Sequence, residues 1–295
     1  MPLYIGIDGG GTKTACALGD ADTVLSTSRS AGSNVVRLGE ERAGIALREA
    51  ISQACWSAGV SPLSIEAVCV GASGAGRPEV QQKVQSLVRR VVPRSIVRVV
   101  GDHEVALEAA LGQSEGVVVI AGTGSIAYGR NAFSETARAG GWGSAVSDEG
   151  SGQWIGREAI ARALRIADTS FVNAVMRHWK LESHEKLIQY LNQSPPLDFS
   201  SLLPLVIAAQ KNDPMLRGVL RDAGAQLAML VETVLRRLWS RGSVVRVGLV
   251  GGVFANSPQV RLGFLATLRR GWPTLAVSFR IADPVMGALS IAKKM

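Results

Sequence analysis

Short apolar runs alternate with longer segments of helical periodicity along most of the chain. The apolar run that begins at residue 4 gives way to glycines and hydroxyls and then to a second apolar run ending at residue 18. Residues 117–129 repeat this order. Each copy predicts a β-hairpin. Further runs typical of buried strands are predicted at 65–73, from 96 into a helix that ends at 111, at 244–254 and at 275–282.

Helical spacing fills most of the remaining chain. From residue 152 to about residue 242 the sequence is mostly helical by its period, with a proline-containing break at 192–198. Strands that run into helices predict α/β layers. The helices predicted individually are 41–59, 78–92 with Pro78 in its first turn, 216–239 and 283–295.

The two predicted hairpins share a turn that has almost no side chains. Gly9-Gly10-Gly11-Thr12 corresponds position by position to Gly122-Thr123-Gly124-Ser125. Such turns leave backbone N–H groups free to point at an anion. Their spacing matches neither the Walker pattern nor the dinucleotide fingerprint. The repetition predicts two related halves that face one polyphosphate, and the alternative is a pair of ordinary tight hairpins.

Composition and charge narrow the function classes. The net charge of +8 comes from scattered basic residues that form no face with interleaved aromatics, so we expect no nucleic-acid partner. No apolar run approaches the length of a membrane span and no signal peptide is evident, so we expect a cytoplasmic protein without a membrane partner. Cys16, Cys55 and Cys69 lie far apart among apolar residues, which favours buried thiols over a disulfide or metal cluster.

Two acidic residues stand where predicted strands end. Asp8 directly precedes the first turn, where its carboxylate could hold Mg²⁺ beside the phosphates; an Asx-turn is the alternative. Thr12 and Lys13 could add a hydroxyl and a cation. Asp102 follows a strand that we expect to be parallel, at the end where open α/β sheets bind ligands. It is the candidate base that orients an attacking hydroxyl, although the position also suits a helix cap.

The segment 140–156 is the densest cluster of glycine and acidic residues. It is too rich in glycine for a core element and is followed by a helical pattern. We expect a loop that brings Asp148 and Glu149 to the start of that helix. A pure capping role for Asp148 is the alternative.

Seven motifs in their order resemble the N-acetylglucosamine kinase branch of the sugar kinase, Hsp70 and actin superfamily. They also resemble the wider group of BadF/BadG/BcrA/BcrD-type ATPases, and the resemblance covers nearly the whole chain. The motifs are IDGGGTKT (7–14), AGSN (31–34), GASG (71–74), GDHEVAL (101–107), AGTGS (121–125), GGWGSAVSDEGSG (140–152) and GLVGGVFAN (248–256).

The resemblance implies an α/β fold of two ribonuclease-H-like, actin-like ATPase domains around a nucleotide cleft. The N-terminal domain would span 1–113 and be completed by the C-terminal helix 284–295. The C-terminal domain would span 114–283 and carry a helical region at 153–242.

The resemblance also implies an ATP- and Mg²⁺-dependent kinase acting on the 6-hydroxyl of N-acetylglucosamine or glucosamine. It assigns Asp102 as the catalytic base and is compatible with Asp8 at the metal. The residues it implies for ATP are Gly10, Gly11, Thr12, Lys13, Thr123 and Gly124 at the phosphates and Gly251 and Gly252 near the adenosine. Those it implies for the sugar are Asn34, Ser73, Gly124, Ser125 and Asp148.

The sequence leaves several alternatives open. Ser147 replaces the glycine that usually precedes the Asp-Glu-Gly-Ser motif, a form also found in glucosamine kinases, so the preferred amino sugar is undecided. An ATPase that activates a partner reductase or dehydratase would need closely placed cysteines for an iron–sulfur cluster, and the chain has no such pair. The third alternative is a protein that senses a sugar without catalysing its phosphorylation. The apolar helices of 200–240 suit either core packing or a homodimer interface.

Overall fold

The computed structural model describes residues 1–143, 145–166, 169–193 and 197–295. The chain divides into two compact units, 1–118 with 278–295, and 119–277. The strands are β1 (Leu3–Gly9), β2 (Lys13–Gly19), β3 (Val24–Ala31), β4 (Ile65–Ala72), β5 (Ile96–Gly101), β6 (Gly116–Ala121), β7 (Ser125–Arg130), β8 (Thr136–Gly140), β9 (Arg246–Val250) and β10 (Ala276–Ala282).

The helices differ widely in length, from four to 25 residues. They are α1 (Val35–Leu38), α2 (Glu40–Ser57), α3 (Pro78–Arg89), α4 (Asp102–Leu111), α5 (Gly152–Arg165), α6 (Thr169–Trp179), α7 (His184–Leu191), α8 (Leu203–Ala209), α9 (Pro214–Leu238), α10 (Gly252–Asn256), α11 (Pro258–Gly271) and α12 (Pro284–Ala292). The predicted break at 192–198 includes 194–196, and the predicted helical region includes 167–168, which lie outside the described residues.

Both sheets have five strands in the same topological order. The first is ordered β5-β4-β1-β2-β3 and the second β10-β9-β6-β7-β8, so each strand of one sheet has its counterpart in the other. In the first sheet β1 pairs antiparallel with β2 and parallel with β4, and β4 pairs parallel with β5. The predicted α/β class, the first hairpin and the parallel strand before Asp102 are confirmed.

The strands β3 and β8 have no counterpart among the predicted elements. In β3 the inward-facing positions carry serines, so the apolar alternation that marks a half-buried strand is missing. The hydroxyls of Ser26, Ser28 and Ser30 instead donate to carbonyl oxygens of α2, with O···O distances of 2.7, 2.5 and 2.7 Å. The acceptors are Ala54, Ala50 and Ala46. Two residues of a strand and four residues of a helix both advance by about 6–7 Å, so the two series stay in register.

The C-terminal helix α12 packs on the first sheet at positions where a side chain would not fit. A β-carbon on Gly6 of β1 would lie 2.2 Å from the backbone nitrogen of Leu289. A β-carbon on Gly287 would lie 2.0 Å from the carbonyl oxygen of Val105 in α4. Close backbone approach therefore holds α12 against both β1 and α4.

In the second unit the long helix α9 packs closely against α11. A β-carbon on Gly224 would lie 2.1 Å from the carbonyl oxygen of Val260, and one on Gly263 would lie 2.2 Å from that of Arg221. Each helix thus presents a glycine to the backbone of the other. The apolar positions of α9 on either side of these contacts, such as Leu220 and Leu227, are fully buried.

The three cysteines are predicted to be buried thiols. Cys16, Cys55 and Cys69 are free and buried, as predicted. Burial raises the pKa of Cys16 and of Cys69 to about 12, so both remain protonated thiols at neutral pH.

Among the helices of the described residues, none is long and apolar enough to cross a membrane.

Candidate functional site

Three candidate residues lie at one edge of the first sheet. Asp8 is next to last in β1, Ser73 follows β4 and Asp102 follows β5. The parallel register aligns Asp8 with Gly71, and Ala72 with Gly101, so the carboxyl ends of the three strands are adjacent. The sheet therefore brings together residues that are about 30 to 90 positions apart in sequence, at the edge where such sheets bind ligands.

The Asp102 carboxylate is held by its own helix and by Ser73. Its Oδ1 accepts a hydrogen bond of 2.9 Å from the amide of His103, whose Nδ1 lies 3.5 Å from the same oxygen. Burial raises the pKa of Asp102, but the hydrogen bonds and charge of His103 and the hydroxyl of Ser73 outweigh it, so this pKa lies below its usual range. Asp102 is consequently a carboxylate at neutral pH.

The capping role considered for Asp102 is wrong. The N-cap of α4 is Gly101, whose amide donates to the carboxylate of Glu104 at 2.9 Å. Asp102 is the first residue of α4 and therefore does not occupy the N-cap position.

Asp8 is a carboxyl group without a hydrogen-bond donor among the described residues. Burial, together with the nearby charges of Asp102 and Asp283 and against that of Lys13, raises the pKa of Asp8 to about 6. The Asx-turn considered for Asp8 is not formed. Among the described residues no group of three or more His, Cys, Asp or Glu side chains could hold a metal by itself. Mg²⁺ takes one or two carboxylates together with phosphate oxygens and water, and a cation at Asp8 would offset the repulsion that this carboxyl feels from Asp102 and Asp283. The residue therefore fits the predicted metal.

Two backbone hydrogen bonds of Gly10 hold the first glycine turn. Gly10 donates its amide to Lys13 and accepts from the amide of Ser33, both at 3.0 Å. Within the part of the chain that the structure describes, the amides of Gly11 and Thr12 donate to no protein acceptor. These two amides can bind an anion.

The segment after β3 contributes two polar side chains, Asn34 and Arg37, and that of Arg37 lies against this turn. A β-carbon on Gly11 would lie 3.4 Å from Nη1 of Arg37, so the guanidinium faces the turn. Asn34 is the N-cap of α1, where its Oδ1 accepts from the amides of Val36 and Arg37 at 3.0 and 3.1 Å. The cap fixes the side chain and directs its amide group away from the helix.

The second glycine turn is held in a corresponding way. Gly122 donates its amide to the carbonyl of Gly124 at 2.9 Å and accepts from the amide of Gly152, the first residue of α5, at 2.8 Å. Thr123 accepts from the next amide, that of Gln153, at 3.2 Å. Gly251 lies beside the end of β6 and has φ of +103°. A β-carbon on Gly251 would clash, because it would lie 2.3 Å from the carbonyl oxygen of Ala121.

Asp148 reaches the start of β7. Its Oδ1 accepts from the amide of Ser125 at 3.2 Å, and the buried hydroxyl of Ser125 donates to the carbonyl of Glu149 at 2.7 Å. Burial raises the pKa of Asp148, opposed by the Ser125 amide and helped by Glu149. The N-cap of α5 is Ser151, so the capping role considered for Asp148 is wrong.

Sequence reasoning missed two residues near the candidate site. Arg37 belongs to none of the motifs. Its guanidinium lies near Gly11 because of the way the chain turns into α1, which the sequence does not show. His103 stands beside the candidate base in the sequence, and that adjacency to Asp102 is the signal that could have identified it.

Two sheets of identical strand order, each with a side-chain-poor turn after its first strand, define the actin-like α/β class. The BadF/BadG/BcrA/BcrD ATPase family model matches residues 5–265, and the chain belongs to that family.

Curated relatives align over almost the whole chain. The N-acetylmuramic acid/N-acetylglucosamine kinase of Clostridium acetobutylicum is 33% identical over 99% of both chains. The N-acetyl-D-glucosamine kinase of Dictyostelium discoideum is 28% identical over 98% of this chain and 97% of its own. A structure from Chromobacterium violaceum, described as a candidate N-acetylglucosamine kinase, superposes with a TM-score of 0.80 at 24% identity over 99% of both chains, which establishes the fold.

Proposed function

We propose that this protein, a sugar kinase, transfers the γ-phosphoryl group of ATP to the 6-hydroxyl of an amino sugar, N-acetylglucosamine or glucosamine. The observation that carries the proposal is the Asp102 carboxylate, kept ionised and oriented at the carboxyl end of β5. The names of the aligned relatives, all amino-sugar kinases, support the substrate class.

Asp102 acts as the base in this proposal. A sugar hydroxyl is far too weak an acid to ionise before transfer, so the carboxylate orients it in line with the phosphorus and accepts its proton late in the reaction. A carboxylate with a lowered pKa suits this role, because it remains unprotonated throughout the neutral range. Most of the rate enhancement then comes from positioning.

The phosphates are bound by the glycine turns. The amides of Gly11 and Thr12 donate to phosphate oxygens, with Gly10 shaping the turn and Lys13 adding a cation. Asp8 would hold Mg²⁺, which when bound supplies neutralisation of the phosphate charge. In the second unit the roles proposed for ATP belong to Thr123 and Gly124 at the phosphates and to Gly251 and Gly252 near the adenosine.

The sugar is bound by polar groups already fixed in their own units. The side-chain amide of Asn34 and the carboxylate of Asp148 hydrogen-bond hydroxyls, since both are anchored through Oδ1 by backbone amides. Ser73 is a further contact beside the base. In this proposal the backbone around Gly124 and Ser125 contacts the substituent on C2 of the sugar. This backbone lies next to the proposed hydroxyl ligand, because the Asp148 carboxylate packs against Gly124.

A coupled assay tests the proposal. Wild-type enzyme with Mg²⁺·ATP is assayed on N-acetylglucosamine, glucosamine, N-acetylmannosamine and glucose, and the phosphorylated hydroxyl is identified by NMR. We expect an amino sugar to give the highest kcat/KM and its 6-phosphate to be the product. Asp102→Asn should lower kcat by about 100- to 10,000-fold, the usual range for a general base, with little change in sugar affinity.

Two results would overturn the proposal. ATP hydrolysis with no phosphorylation of any of the four sugars would point to an ATPase that acts on a partner. Phosphorylation at another hydroxyl would retain the kinase and remove the assignment of the 6-position.

A further inference from the structure

We propose that His103 is a positioning residue that fixes the rotation of the Asp102 carboxylate. This inference rests on the proposed function, in which Asp102 is the base. His103 lies within the motif GDHEVAL, to which the sequence assigned a role only at Asp102.

His103 contacts one oxygen of Asp102 twice. Its backbone amide donates to Oδ1 at 2.9 Å, and its ring nitrogen Nδ1 lies 3.5 Å from the same atom. The second distance is at the outer limit of a hydrogen bond, and such contacts are often long at catalytic groups before the substrate binds. Two contacts to Oδ1 define the carboxylate plane and turn Oδ2 away from His103.

The ring is held in this position by packing over Gly101. A β-carbon at Gly101 would lie 2.3 Å from Cε1 and 2.8 Å from Nδ1 of the imidazole, so the ring occupies the space that any side chain there would need. The side chain of His103 is only 15% exposed, whereas that of Asp102 is 34% exposed. The better-buried imidazole therefore restrains the more accessible carboxylate.

The restraint matters because the reaction depends on alignment. A carboxylate free to rotate about its terminal bond would meet the sugar hydroxyl at variable angles. A misplacement of the order of 1 Å can cost about 100-fold in rate. His103 should consequently affect kcat much more than substrate affinity.

Two substitutions at position 103 separate a positioning role from a structural one. Asparagine places its Nδ2 donor at the position of Nδ1, whereas leucine has similar bulk and no donor. We expect His103→Leu to lower kcat by about 10- to 100-fold with the sugar KM changed by less than about 3-fold, and His103→Asn to recover most of that loss. Thermal unfolding of both variants monitors the fold.

A variant at the neighbouring glycine gives an independent test with His103 intact. Gly101→Ala should displace the imidazole and reproduce the loss of kcat. The double variant Gly101→Ala/His103→Leu should then be little worse than either single variant, because both remove the same contact. Gly76→Ala is the control, since a β-carbon there meets no atom within 4 Å.

The outcomes are distinct from those of the function itself. Unchanged kcat in His103→Leu, equal losses in the leucine and asparagine variants, or a loss confined to KM would each overturn the positioning role while leaving a working kinase. Failure of the wild-type enzyme to phosphorylate any sugar would instead overturn the proposed function.

Discussion

The carboxylate of Asp148 lies directly against Gly124. A β-carbon on Gly124 would come within 2.9 Å of Oδ1 of Asp148, the atom that also accepts the hydrogen bond from the amide of Ser125. Asp148 itself has φ of +104°, a conformation that a non-glycine residue adopts at some cost. The second turn and the acidic loop therefore depend on each other.

Gly124→Ala should weaken sugar binding by displacing Asp148. Loss of one hydrogen bond to a charged group costs about 1.5–3 kcal/mol, which corresponds to roughly a 10- to 150-fold rise in the sugar KM. The measurement is a steady-state titration of sugar at saturating ATP.

Gly122→Ala is the matched control in the same turn, because a β-carbon at Gly122 meets nothing within 4 Å. Equal effects of the two variants on the sugar KM would show that the turn backbone, and not the contact with Asp148, controls sugar affinity.

Asp8→Asn should stabilise the protein at pH 7 in the absence of Mg²⁺ and nucleotide. The pKa of Asp8 is raised to about 6 in the folded state, from 3.8, so the folded state holds the proton more tightly than the unfolded state. The contribution of protonated Asp8 to the free energy of unfolding is fully present below pH 4 and is lost as the pH rises through 6. The gain at pH 7 is up to about 3 kcal/mol, at about 1.4 kcal/mol per pKa unit.

Urea unfolding of the variant and the wild type at pH 4 and pH 7 measures this difference. Asp22→Asn, at an exposed position of the turn after β2, is the control and should show no such dependence. The same stabilisation at both pH values would mean that burial of the charge is not its cause. The same Asp8→Asn variant should lose kinase activity if Asp8 holds the metal.

Two glycines of α9 should respond oppositely to the same substitution. Gly218→Ala should raise the free energy of unfolding by about 0.5–1 kcal/mol, because its β-carbon meets no atom within 4 Å and alanine favours the helix. Gly224→Ala should be strongly destabilising, since its β-carbon would lie 2.1 Å from the backbone of α11. Chemical denaturation of both variants tests the pair, and similar values would contradict the close packing of α9 on α11.

Ser28→Ala should lower the free energy of unfolding by about 1 kcal/mol, the usual net value of a hydrogen bond. Ser28 is buried and donates to the carbonyl of Ala50, which also belongs to the hydrogen-bond ladder of α2. Ser30→Ala removes a partly exposed bond of the same kind and should cost less. A larger loss for Ser30→Ala would contradict the role of burial in this series.

Local sequence patterns were sufficient to predict most strands and helices and the parallel strand that ends before Asp102. The apolar runs and their glycine ends marked the first hairpin and the strand before Asp102, because buried strands and tight turns constrain residue type locally. The same signals failed for β3, whose serines are explained only by the helix that packs on them. A strand satisfied by hydroxyl bonds to a neighbouring helix has no apolar period to detect.

The sequence by itself determined the duplicated turns, the acids at the ends of the strands and the family, because each of these is specified by a short run of consecutive residues. Only the tertiary structure decided which groups meet: the parallel register that sets Asp8 near Asp102, the ring of His103 over Gly101, and Asp148 against the start of β7. These contacts join residues far apart in the chain or depend on side-chain rotation. Their existence follows from the packing of sheets and helices, which no local pattern specifies.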